Sequence, residues 1–345
     1  MKRMINKLAI SVGFLVAGLL LPCSSVYAAE HVKVGYLPVT GHAKFFVAKE
    51  QGLFAKEGID AELVEFINSA DGLAAVRAGK VDVGAFGTTA PLVHIAQGAD
   101  LKVIGGIMGE DASIITKPET APKIKSIADL KGKKIATVRL ATGDAVLRGA
   151  LRNSGINWKT DVEIFELKNP PAVMEAVKSG QVDAGVTWGP HDVTAEKEGL
   201  SVVIRSRSLE PGHPCCRLVI TDENYQKRKD LWVRFIKALL RAEKFAQQDQ
   251  QATLDAIGRY VKLDRAINEK AYYHGYLDQS TDPNVKGVKE FWKTMQHCEF
   301  VKSQKDISPH IDATFYDKAL KDLEKENPAD PFWKDLRKTF VARNL

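Results

Sequence analysis

The feature that most constrains this chain is a duplication with constant spacing. Residues 75–84, AVRAGKVDVG, recur as AVKSGQVDAG at 176–185, an offset of 101 residues. In both copies a helix of small and apolar residues stops at a glycine, Gly79 or Gly180, which takes left-handed backbone angles at no steric cost. Short apolar runs follow at 81–86 and 182–188, of the kind that form strands buried on both faces of a sheet. The match extends backwards: 32–36 and 134–138 read as opening strands, 43–52 and 144–154 as helices, and 61–67 and 161–167 as second strands. Each copy is therefore strand, helix, strand, helix, strand. That order predicts an α/β fold with mostly parallel sheets flanked by helices. In such sheets ligands bind beyond the carboxyl ends of the strands, so two copies facing each other enclose a cleft.

At 345 residues the chain is long enough for two lobes. The first 28 residues read differently: a basic start (Lys2, Arg3, Lys7), an apolar run at 8–21 and the small-residue pattern Val26-Tyr27-Ala28 make a secretory signal peptide cleaved after Ala28. The apolar run is too short to span a bilayer. Lipid modification at Cys23 is the rival reading, which Pro22 directly before it disfavours. Removing the leader lowers the excess of basic over acidic residues from six to three. So weak a charge, with no basic cluster interleaved with aromatics, argues against nucleic acid as a partner.

The loops that follow the strands of each copy carry the candidate contacts. Thr40 and His42 leave the first strand where a helix amino end presents free N–H groups, so Thr40 either caps the helix or meets a ligand, while His42 reads as an exposed loop histidine ahead of a ligand contact. Asn68 or Ser69 caps the next helix, and Thr88 and Thr89, between Gly87 and Pro91, form a polar helix entrance that favours ligand contact over plain capping. In the second copy Arg139 and Thr142 stand at the equivalent entrance. Arg139 is the best candidate to grip an anion through its paired donors, with solvation as the alternative. Trp188, followed by Gly189, Pro190 and His191, ends a strand where an indole can wall a pocket. From residue 222 the pattern turns helical, with helices expected at 252–262, 266–276, 286–297 and 313–326, packed on the first lobe; Tyr272, Tyr273 and His274 are candidates to reach the cleft.

Past the leader the chain holds Cys215, Cys216 and Cys298, an odd number for an oxidising compartment. One pair plus a free thiol, three free thiols, or a metal site with His213 remain open. Adjacent cysteines can close an eight-membered disulfide ring, and no zinc-ligand spacing is present. Buried thiols in a hinge strand is the preferred reading.

Taken together, VGYLPVTGHAKFFVAKEQGLFAKEGIDAELVEF, AVRAGKVDVGAFGTTAP, DLKGKKIATV and VKSGQVDAGVTWGPH resemble the nitrate/sulfonate/taurine class of solute-binding proteins that serve ABC importers, over roughly residues 30–220. The resemblance implies a two-lobe periplasmic-binding-protein fold of type II with a helical C-terminal part. It implies residues 29–115 plus 217–345 as one lobe, 116–216 as the other, and hinge segments near 111–117 and 212–220. It implies a periplasmic monomer that closes on a small anionic solute (sulfonate, taurine-like or nitrate-like) and docks on a membrane permease, with no catalysis, cofactor or metal. Thr40, His42, Ser69, Thr88, Thr89, Thr142 and Trp188 carry over as pocket residues. One stretch departs: His213-Pro214-Cys215-Cys216 faintly resembles the histidine and cysteine-rich motif of the related thiamine-pyrimidine synthases, which have a longer cysteine run. The alternatives are therefore a receptor for a thiamine-pyrimidine precursor or other aromatic solute, or a redox or enzyme variant of the fold using His213, Cys215 and Cys216.

Overall fold

Apolar and β-branched runs become the strands, and turns rich in glycine and asparagine separate them. The structure, a computed structural model, describes residues 29–345, so the leader at 1–28 and the lipidation alternative at Cys23 lie outside the described residues. In chain order the strands are β1 (Glu30–Tyr36), β2 (Ile59–Glu65), β3 (Val83–Gly87), β4 (Leu101–Gly109), β5 (Ala112–Thr116), β6 (Lys134–Val138), β7 (Glu163–Leu167), β8 (Ala184–Trp188), β9 (Ser201–Arg205) and β10 (Pro214–Thr221). They form two five-stranded sheets, ordered β2-β1-β3-β10-β4 and β7-β6-β8-β5-β9.

The duplication is visible in the register. Parallel β1 and β3 pair Val34 with Val83, and parallel β6 and β8 pair Ile135 with Ala184, each position 101 residues after its counterpart. In each sheet one strand runs against its neighbours, β10 between β3 and β4 and β5 between β8 and β9. The reason is the route of the chain. It leaves β4 at Gly109 and enters the other sheet at Ala112, then returns between Arg205 and Pro214. A strand fed from the facing lobe enters from the cleft end, so it must oppose the strands that finish there.

The strands after each repeat glycine start about two residues later than the apolar runs suggest, because residue 80 or 182 still bonds back to the preceding helix: Lys80 N–H donates to the Ala75 carbonyl and Val182 N–H to that of Ala176. The expected helices in the C-terminal half form at Gln250–Tyr260, Arg265–Tyr273, Val285–His297 and Thr314–Glu326, and Pro331–Asn344 adds one more.

The long helix Lys229–Gln248 buries Leu231, Trp232, Phe235, Ile236, Leu239 and Leu240 on one side, the stripe an amphipathic helix needs. Phe235 packs among Phe45, Phe54 and Trp232 with ring centroids 5.1–6.2 Å apart, so this helix covers the first sheet's own helices. The helix Val285–His297 leans instead on the second lobe: Thr294 Oγ1 donates to Glu210 Oε1 at 2.8 Å, and just beyond it the Cys298 carbonyl accepts from Trp158 Nε1 at 2.6 Å. No helix among the described residues is long and apolar enough to cross a membrane.

Candidate functional site at the interlobe cleft

The ends of β3 and β8 and the start of β10 come together, and the loops after the strands form a seam. Its centre is the main-chain oxygen of Cys215, at the start of β10. That oxygen accepts from Thr88 N–H at 2.8 Å, from Thr88 Oγ1 at 3.1 Å and, across the seam, from Thr142 Oγ1 at 2.6 Å. Thr142 Oγ1 in turn accepts from Thr88 N–H at 2.8 Å. Ser69 Oγ accepts from Gly87 N–H at 2.9 Å and steadies the same turn.

Beside this knot lies a cavity of about 20 Å³, room for about one water molecule. Leu37, Met108, Ala112, Ala141 and Trp188 give it apolar walls, and Ser69, Thr142, Cys215 and Cys216 complete it. An outer cavity of about 120 Å³ lies on the other side of Leu37 and Trp188, which line both, and is bounded by Val39, Ile67, Pro170 and His191. At the seam itself the space left between the lobes is thus no larger than about one water.

Ser69, Thr142, Trp188, Cys215 and Cys216 come together on the inner cavity, with Thr88 bonded to its rim; His191 lines the outer one. Thr40 and Thr89 are buried with hydroxyls that have no partner, and neither lines either cavity. His42, expected as an exposed loop histidine, is instead fully buried, because its ring turns inward to bond the Leu37 loop. Its Nδ1 accepts from Leu37 N–H at 3.0 Å and fixes the loop that carries the Leu37 wall. Burial, reinforced by the neighbouring Lys44 charge, pushes its pKa down to about 3, so it is neutral, with an unpartnered Nε2–H.

Arg139 lines neither seam cavity. It is exposed and lies on the side of His94, whose pKa it helps to depress after burial and Arg77. The helix behind it begins at Thr142.

His213 turns away from the thiols: its Nδ1 lies 2.7 Å from the Glu210 carbonyl, and burial holds its pKa down. Among the described residues no group of three His, Cys, Asp or Glu side chains could hold a metal ion, and Cys215, Cys216 and Cys298 are all free. Tyr272 and Tyr273 pack into the helical half. His274 faces a separate cavity of about 190 Å³ with Asp111, Asp192, Glu196, Arg205 and Lys270.

The sequence profile of NMT1/THI5-like proteins matches residues 39–253, most of the chain. The chain belongs to the NMT1/THI5-like family. Within it, a putative binding protein of Brucella abortus is 29% identical over 252 residues, covering 71% of this chain and 76% of that protein. A putative aliphatic sulfonates-binding protein of Bacillus subtilis is 27% identical, covering 80% and 84%. The alkanesulfonate-binding protein of Xanthomonas axonopodis pv. citri, solved with MOPS bound, superposes with a TM-score of 0.72 at 20% identity, covering 83% of this chain and all of that one. This NMT1/THI5-like chain therefore has the two-lobe periplasmic-binding-protein fold.

Three parts of the seam carried no signal in the sequence. Leu37 and Met108 look like ordinary loop and strand residues, and the Cys215 acceptor is a main-chain atom. The register of β10 against β4, which pairs Cys216 with Met108, brings the Cys215 turn and Met108 together.

Proposed function

We propose that this chain is the solute receptor of an ABC importer and closes its two lobes on a small anionic solute of the sulfonate type, a class that takes in taurine-like and nitrate-like anions. The observation that carries this reading is the make-up of the seam cavity. Leu37, Met108 and Trp188 offer an apolar body-binding wall. Beside them start the helices Thr89–Ala96 and Thr142–Asn153, one from each lobe, whose free N–H groups and dipoles favour a negative head group. The sulfonate-binding names of several relatives point to the same chemistry.

On this reading the protein binds without catalysing, works as a monomer in the periplasm after loss of residues 1–28, and docks on a membrane permease. Residues 29–115 with 217–345 form one moving body and 116–216 the other, hinged near 111–117 and 212–220. The solute favours the closed form only by as much as it binds that form better.

The test is thermal unfolding of the protein, refolded to strip bound solute, against alkanesulfonates, taurine, nitrate and a thiamine-pyrimidine precursor. A solute at about 100 times its Kd adds about 2.7 kcal/mol, several degrees in Tm. A shift with sulfonates, accompanied by compaction in small-angle scattering, supports the reading. A shift with the pyrimidine alone replaces the anion by an aromatic solute, and no shift across the panel overturns the receptor reading for this class.

A further inference from the structure

Adjacent residues of a regular strand point to opposite faces, so neighbouring cysteines ordinarily hold their thiols apart. Cys215 and Cys216 do not. The pairing of β10 with β4 slips between Pro214 and Cys216 and again between Cys216 and Arg217, and at this irregularity both residues line the interlobe cavity. Their sulfurs lie 4.0 Å apart, against about 2.05 Å in a disulfide. The third cysteine takes no part: Cys298 is buried in the helical half, its thiol directed at the Met295 carbonyl.

We infer that the Cys215–Cys216 pair is a site of reversible oxidation by small disulfides, closing a ring that contains the peptide whose oxygen latches the two lobes. The ring atoms are the two sulfurs, the two Cβ and two Cα atoms, and the carbonyl carbon and amide nitrogen of the 215–216 peptide. The carbonyl oxygen on that peptide is the one met by Thr88 and by Thr142. Drawing the sulfurs together twists the peptide and re-aims the oxygen, so the oxidised chain loses the latch and its lobes stand open.

The chemistry balances with a symmetrical low-molecular-weight disulfide as oxidant. The Cys215 thiolate attacks one sulfur of the disulfide, breaks its S–S bond and releases one thiolate, which takes a proton from solvent. The Cys216 thiol then attacks the Cys215 sulfur of the mixed disulfide. It loses its proton to the departing second thiolate, and the Cys215–Cys216 bond forms. Two electrons pass to the small disulfide, which leaves as two thiols. Cys215 suits the first step. The hydrogen bond from Cys216 lowers its pKa, with Arg217 and the Asp111 N–H adding to this against burial, while Cys216 is pushed up by the same pairing.

With about 20 Å³ between the lobes there is no room for the oxidant in the closed form. The inference therefore rests on the reading of this cleft as one that opens.

The experiment treats the full secreted chain with oxidised glutathione and reads intact mass, peptide maps and hydrogen exchange at the Thr88 amide. Expected is loss of two hydrogens confined to the peptide holding Cys215 and Cys216, with Cys298 still open to alkylation after unfolding. Thr88 exchange rises about tenfold, the loss of one hydrogen bond of about 1.4 kcal/mol, and dithiothreitol reverses both changes. The product persists in Cys298→Ser and is absent from Cys216→Ser, which can form only the mixed disulfide. Should Cys216→Ser not fold, the wild-type peptide map decides alone. No ring under conditions that oxidise the urea-unfolded chain overturns the proposal, and so does a ring that leaves Thr88 exchange unchanged. Solute binding is scored separately, so an unresponsive sulfonate panel leaves these readouts standing.

Discussion

The Asp82 carboxylate accepts a hydrogen bond from the Lys33 N–H at 2.8 Å, and 101 residues later the Asp183 carboxylate accepts from the Lys134 N–H at the same distance. In both places the aspartate follows the repeat glycine by three positions and ties the turn before the third strand to the edge of the first. The duplication is therefore kept as a bond as well as a pattern of letters. The copies differ in what else they hold: Asp82 also accepts from Arg228 Nη1 at 2.8 Å, from the helical half, while Asp183 has no charged partner among the described ion pairs.

This asymmetry makes an ordered prediction. Asp183→Ala removes one partly exposed hydrogen bond and costs about 1 kcal/mol. Asp82→Ala also removes the Arg228 Nη1 partner, leaving Arg228 with the His31 carbonyl and Glu30, and costs up to about 1 kcal/mol more. Urea midpoints read the stability, and exchange at the Lys33 and Lys134 amides locates it. If Asp183→Ala proved at least as damaging as Asp82→Ala, the anchoring of the helical half through Arg228 would be refuted.

The sheet architecture was legible because the glycines, the paired aspartates and the apolar runs repeat at one offset, and local periodicity is what sets strands and helices. Asn68 and Asn169 show the same: each accepts from the N–H three residues on, at 2.8 and 3.0 Å, as helix caps at equivalent places. The antiparallel β5 and β10 were not legible, since their direction depends on the chain crossing between lobes. Trp188 ends a strand, and Ser69, Thr88 and Thr142 stand at the helix entrances that follow strands, positions that the glycine and capping pattern marks. Arg139, three residues before the helix start, is exposed and lines neither seam cavity.

Gly87 is where the seam tolerates least. A Cβ there would lie 3.2 Å from Ser69 Oγ, 3.2 Å from Thr142 Oγ1 and 3.3 Å from Thr142 N, so the facing lobe must yield by a few tenths of an ångström. Gly87→Ala should keep its fold, because β3 is extended here, yet hold the lobes slightly apart. The expected result is faster exchange at the Thr88 amide by about tenfold and a larger radius of gyration, with little change in the urea midpoint. Unchanged exchange would mean the seam repacks freely around the added methyl.

His42 gives the fold an acid-sensitive point. In the unfolded chain a histidine binds its proton near pH 6.5, while the buried ring does not until about pH 3, so between these values the unfolded state holds one more proton. Stability from this residue is complete above pH 6.5 and is lost as the pH falls. Asp144 and Glu210 act in the opposite sense. Burial raises them to about 6 and about 7, so the folded state takes up their protons first and they favour it as acid is added. The absolute profile therefore mixes signs, and the informative quantity is the difference between wild type and His42→Gln. Relative to wild type the variant should gain about 1.4 kcal/mol for each pH unit below 6.5, down to about pH 3. At pH 7 and above it should be destabilised by about 1–3 kcal/mol, because the Leu37 N–H loses its fitted acceptor. Urea unfolding of both proteins from pH 4 to pH 8 measures this directly. Parallel stability curves would mean that the His42 ring is protonated in the fold, and that the Leu37 loop is held by something other than a neutral imidazole.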